Sequence, residues 1–191
     1  MTTRAELRQD LRDKLVGLED SGYGDFDWSD DWLGSYLALA VARLFPDIYK
    51  REVVSSQTPI PYGSAGYGYV LVDNPERVTY VEDAAELDYI YGWSTRVDKV
   101  IAIPAGTTVN IGQYAPFVLP TSDTDTFDLP SIYDPLVVLG ALIETLESRH
   151  DTGVRPDDSG QYIQTPLIDR LNQRYTAMRA AMALTLPMIV S

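Results

Sequence analysis

The chain has 191 residues, 45% of them hydrophobic and 23% charged, with 15 Lys and Arg against 28 Asp and Glu for a net charge of −13. That apolar content is too high for a disordered chain, and the length suffices for one domain or a domain with a sizeable insert, able to bury about 70% of its unfolded surface. The acidic balance argues against gripping nucleic acid through phosphate neutralisation or a polybasic hold on a membrane, both of which need clustered Lys and Arg.

Three zones follow in chain order. In the first, 1–54, Thr3 and Glu6 have capping-box spacing, and Leu7, Leu11, Leu15 and Leu18 recur on one helical face. A Gly- and Asp-rich loop over 17–27 ends that helix. Ser29 is the expected N-cap of a second helix, with Asp30 and Asp31 at the positive end of its dipole. Trp32, Leu33, Tyr36, Leu37, Ala40, Val41 and Leu44 cover a wide face, and Pro46 closes the helix.

The middle zone, 55–130, holds seven of the thirteen tyrosines. Its β-type runs predict strands over 67–72, 77–82, 87–91, 97–103, 107–111 and 114–119, with Pro104-Ala105-Gly106 as a hairpin turn. Short, closely spaced strands predict an antiparallel sheet or small barrel rather than βαβ units.

The last zone, 131–191, is helical again. Asp134-Pro135 and Thr165-Pro166 each read as an N-cap followed by proline at the first helical position. Leu136, Leu139, Ile143 and Leu146 form one apolar stripe. Leu167, Leu171, Tyr175, Met178 and Met182 form another. The fold class expected is therefore α+β: a helical bundle built from the N- and C-terminal segments, with an antiparallel β insert between them. In these zones the insert carries 3 basic against 10 acidic residues, which makes it the acidic part.

The residues offer little for catalysis. With no cysteine, thiolate metal sites and Cys nucleophiles are excluded, and the redox compartment is undetermined. The single histidine, His150, sits at a helix C-terminus, where a cation suits the dipole. Asp123-Thr124-Asp125 opens like a calcium loop, but Phe127, Asp128 and Asp134 occupy the third-ligand, glycine and glutamate positions. Gly63-Ser64-Ala65-Gly66-Tyr67-Gly68 lacks the lysine of a phosphate-binding loop. It reads instead as a flexible loop whose Tyr62, Tyr67 and Tyr69 form a candidate interface, since tyrosine brings contact area at low entropy cost. No catalytic residue, cofactor or metal is expected. The opening residues run straight into charge without an apolar core, so no signal peptide is expected, and no run is long enough to span a bilayer. The apolar segment Leu186, Pro187, Met188, Ile189 and Val190 invites capture by a partner, as an exposed end of that kind is an aggregation hazard.

Several short motifs, taken in order, resemble the head-to-tail connector (adaptor) proteins of tailed bacteriophages. They are Thr3-Arg4-Ala5-Glu6-Leu7-Arg8 opening the first helix, Trp28-Ser29-Asp30-Asp31-Trp32-Leu33 opening the second, and Ala40-Val41-Ala42-Arg43-Leu44 completing it. Leu129-Pro130-Ser131 then leads into the apolar helix, followed by a polar linker and an Arg-dotted helix. The β zone is longer than the connection in minimal connectors. The resemblance implies a non-enzymatic virion protein at the head–tail interface, assembled in the host cytoplasm. Copies would form a ring, usually of about twelve, docked on the portal protein. It would extend the channel for passing double-stranded DNA without specific binding, and would meet the next connector, a stopper or a tail terminator. The residues alone leave open two other readings: a carboxylate-dependent hydrolase with a β substrate domain, and a β-type carbohydrate- or protein-binding module on a helical scaffold.

Overall fold

The computed structural model describes residues 2–20, 28–62, 66–151 and 165–185. It is a mixed α+β fold in two compact units, one formed by described residues of 1–48 and 116–187, the other by 49–115. The four helices are α1 (Arg4–Asp20), α2 (Asp30–Ala42), α3 (Asp134–Asp151) and α4 (Thr165–Thr185). The strands are β1 (Lys50–Gln57), β2 (Ile60–Pro61), β3 (Tyr67–Leu71), β4 (Val78–Asp83), β5 (Ser94–Arg96), β6 (Lys99–Pro104) and β7 (Val109–Ala115).

Local signals set the starts of the first two helices. The Thr3 backbone N–H donates to Glu6 Oε2 at 2.7 Å and the Glu6 N–H donates to Thr3 Oγ1 at 3.2 Å, so the capping box closes. Ser29 is extended and its Oγ accepts from the Trp32 N–H at 3.4 Å. Leu7, Leu11 and Leu15 are buried, as their spacing predicts. Trp32 is not: it stands 56% exposed at the edge of a ring cluster with Trp28 and Tyr36. Helix α2 also ends at Ala42, four residues before Pro46, and residues 43–47 continue as turns.

In the helical unit α1, α2 and α4 each pack against α3. At Gly140 of α3 an added Cβ would lie 3.2 Å from Ala40 Cβ and 3.1 Å from the Tyr175 ring, so the missing side chain lets α2 and α4 approach together. Polar links reinforce the packing: Arg43 pairs with the largely buried Glu144, Tyr36 donates to Ser148 Oγ at 2.6 Å, and Arg179 pairs with Asp47 at 2.8 Å. The apolar side of α4 (Leu167, Leu171, Tyr175, Met178, Met182) lies partly buried against this core.

Asp134 does not act as an extended N-cap. A 3₁₀ turn, Ser131–Tyr133, precedes it, and its own backbone is already helical. One carboxyl oxygen accepts from Thr2 Oγ1 at 2.5 Å, and the other is buried without a partner. Burial pushes this carboxyl above its ordinary range, opposed by the Thr2 hydrogen bond. A raised native pKa means the folded state holds the proton more tightly than the unfolded chain does. The resulting stability is complete below the ordinary carboxylate range and is lost as pH rises through the native value. Asp134→Asn should therefore melt at a higher temperature than the parent at pH 7. The gap should close as pH falls below about 4, where the parent is also neutral. Melting curves of both proteins across this range check it, and a less stable variant at pH 7 would refute it.

The β unit differs from the sequence expectation in several places. Strand β1 begins at Lys50, inside the zone expected to be helical, and pairs antiparallel with β7. Residues 107–111 and 114–119 do not form two strands; a single β7 covers 109–115. Residues 116–119 leave the sheet, and Phe117 and Leu119 join Phe127 and Leu129 in the helical core. No strand forms over 87–91, where only Tyr89 bridges to Glu82. There Asp83 Oδ1 accepts from the Ala85 and Glu86 N–H groups and turns the chain instead.

These strands make two antiparallel sheets, in the orders β1-β7-β4 and β2-β3-β6-β5. Pro104-Ala105-Gly106 is a turn, but it does not join paired strands. Both edges of β6 are already taken, by β3 and β5, so the chain passes to the other sheet. Val70, Val100 and Ile103 from one sheet share a buried cluster with Val81, Val109 and Ile111 from the other.

Candidate functional site

The tyrosines of the expected interface loop separate into two groups. Tyr62 follows β2 and Tyr69 lies in β3, and their ring centroids stand 6.3 Å apart with planes at 48°. Tyr67, 48% exposed, does not line the groove that the other two form. Residues 63–65 lie outside the described residues.

Strand periodicity puts the remaining groove residues on one face. Val70 and Val100 point into the core, so Tyr69, Lys99 and Ile101 point away from it. Register aligns them: Tyr69 faces Ile101 across β3 and β6, and Arg96 faces Lys99 across β5 and β6. A bulge contributes. Pairing slips between Gly68 and Tyr69, skipping Ala102, which sits at φ +64°. Such an extra residue re-aims its neighbours and sharpens the twist. Gly68 is glycine for a local reason: an added Cβ would fall 2.7 Å from the Ile60 carbonyl of β2.

Together Tyr62, Tyr69, Arg96, Lys99 and Ile101 line an open groove of about 340 Å³ that crosses the whole four-stranded sheet. Lys99 Nζ lies 5.0 Å from the centre of the Tyr69 ring and 3.5 Å from Asp98 Oδ1. Arg96 is exposed and makes no ion pair among the described residues. The sequence pointed to the rings but not to the cations, which lie 27 or more residues further along the chain. The pairing of β6 with β3 brings Lys99 beside Tyr69, and the pairing of β5 with β6 adds Arg96.

Other residues singled out in the sequence take structural positions or fall outside the described residues. Asp123 accepts two hydrogen bonds from Arg8, at 3.0 and 2.7 Å, and this pairing holds its carboxyl below the ordinary range. Among the described residues no group of three or more His, Cys, Asp or Glu is placed to hold a metal ion. No described helix is long and apolar enough to cross a membrane. His150 falls in the last turn of α3. Leu186, Pro187, Met188, Ile189 and Val190 lie outside the described residues. No protein-family model and no curated protein matches this chain.

Proposed function

We propose that this protein is a structural virion component without enzymatic activity, a head-to-tail adaptor that docks on the portal as a ring and extends the DNA channel. The observation that carries this reading is the return of the chain on itself. Helices α1 and α2 pack with α3 and α4 in one unit, while the β unit is inserted between Ile48 and Pro116. This is the element order of the adaptor resemblance, with the four helices acting as the bundle that meets neighbouring copies. The charge distribution supports it too. Sequence segments 1–48 and 116–187 carry 10 basic against 20 acidic residues, so a ring of such chains around a duplex would repel phosphates and let DNA pass without sticking. The segment Leu186, Pro187, Met188, Ile189 and Val190 supplies the portal contact by adding to an exposed edge or pocket of the portal. The next connector, stopper or tail terminator then binds the opposite face of the ring.

Native mass spectrometry or cryo-EM of the chain mixed with the portal protein of the same genome tests the reading. A closed ring on the portal is expected, and a chain that stays monomeric and ignores the portal would overturn it. Deleting residues 187–191 should abolish docking while the far-ultraviolet circular dichroism of the helices stays unchanged. A truncated chain that still docks would remove the tail from the proposal.

A further inference from the structure

We propose that the groove across β2-β3-β6-β5 is a binding site for an acidic sugar, a pyranose ring bearing one carboxylate. The shape of the aromatic pair argues against a flat base held between its two rings. A flat base stacked between two rings needs them parallel and about 7 Å apart, twice the optimal carbon–carbon contact distance. Tyr62 and Tyr69 are 6.3 Å apart and tilted by 48°, which makes a concave corner rather than a slot. A puckered ring with C–H groups on its faces fits such a corner, and Ile101 adds an apolar contact beside it. The volume, about 340 Å³, lies at the lower end of the range for small-ligand sites.

The cations specify the charge. Lys99 is already shared between the Tyr69 ring and Asp98, whereas Arg96, with its planar guanidinium fork, lines the groove and has no ion pair among the described residues. That fork matches a carboxylate through two parallel hydrogen bonds. Asp98 beside the groove and a net charge of −13 on the chain oppose a ligand with many negative groups. One carboxylate on one sugar satisfies the cation without meeting that repulsion. This site is independent of the adaptor reading, because it lies entirely within the β unit.

The test is a nuclear magnetic resonance titration of the full-length protein with glucuronic acid, and with glucose, uridine monophosphate and a short glutamate-containing peptide as comparisons. Glucuronic acid should give saturable shifts at the Tyr69, Arg96, Lys99 and Ile101 amides, with glucose at least about tenfold weaker. Arg96→Gln should weaken glucuronic acid about tenfold while leaving glucose unchanged, and Tyr69→Leu should weaken both sugars. Both substitutions lie on the solvent face of the sheet, and an otherwise unchanged amide spectrum verifies the fold. Equal affinity for glucose, tighter binding of the nucleotide or the peptide, or no shift with glucuronic acid up to on the order of 50 mM would overturn the proposal.

Discussion

Replacing Phe127 with alanine should destabilise the helical unit by about 3–5 kcal/mol, the range for removing a fully buried aromatic side chain. Phe127 has no exposed surface and meets Phe117 edge to face, with ring centroids 6.4 Å apart. Its backbone is also part of a strap: the Phe127 N–H donates to the Thr2 carbonyl at 2.9 Å, and Thr126 forms a β-bridge with Thr3. Arg4 Nη1 donates to the Thr121 carbonyl at 2.5 Å, and Arg8 holds Asp123. Losing the ring therefore empties a cavity where this strap, the start of α1 and α3 are held together. Hydrogen exchange gives the cleanest readout, because a chain of two units need not unfold in one step. Protection should fall in α1 and α3 and persist in β6 and β7, whose buried residues belong to the other cluster. An equal loss in both units, or a loss below about 1 kcal/mol, would show that Phe127 does not anchor the strap.

The second large effect falls in the β unit. An alanine Cβ at Gly112 would lie 2.0 Å from Tyr80 Cε1 and 2.3 Å from its Cζ, inside the space of the ring. Tyr80 lies over the glycine in the adjacent strand and meets Tyr89 edge to face at 5.5 Å. Gly112→Ala must displace that ring or bend β7, which pairs with both β1 and β4. The expected cost is about 1–3 kcal/mol, the range for overpacking. In the Tyr80→Ala background the same change should cost much less, because the obstructing ring is gone. Denaturant unfolding of the four proteins of this cycle measures the coupling. Additive effects would mean that backbone conformation, not the ring, requires glycine there.

The parts of the fold legible in the sequence are those decided within a few residues. The capping box of Thr3 and Glu6, the Ser29 cap and the Leu7, Leu11, Leu15 stripe each depend on neighbours in one helix, and each forms as read. Strand β1 was not legible. Lys50–Gln57 carries Lys, Arg, Glu, two serines and Gln, shows no alternation, and owes its extended form to pairing with β7. Conversely, 114–119 has strand-like composition, yet Phe117 and Leu119 are worth more in the helical core than in an extended sheet. The candidate site was half legible. Its tyrosines are close in sequence, but Arg96 and Lys99 reach them only through strand order and register.

Charge shows the same division. The sequence by itself determined a net charge of −13, and with it the argument against phosphate-gripping and polybasic membrane modes. It could not determine where that charge resides. Zones drawn from composition assign most of it to the β insert. The tertiary structure moves Lys50, Arg51 and Glu52 into the β unit, and Asp123, Asp125 and Asp128 out of it, leaving 5 basic against 8 acidic residues there. The acidic excess belongs to the helical unit. The reason is physical: net charge is a sum over residues and does not depend on fold, whereas membership of a compact unit is fixed by long-range burial. The burial of Phe117, Leu119, Phe127 and Leu129 ties the strap, with its exposed acidic residues, to the helical unit, and the pairing of β1 with β7 carries Lys50, Arg51 and Glu52 into the sheet.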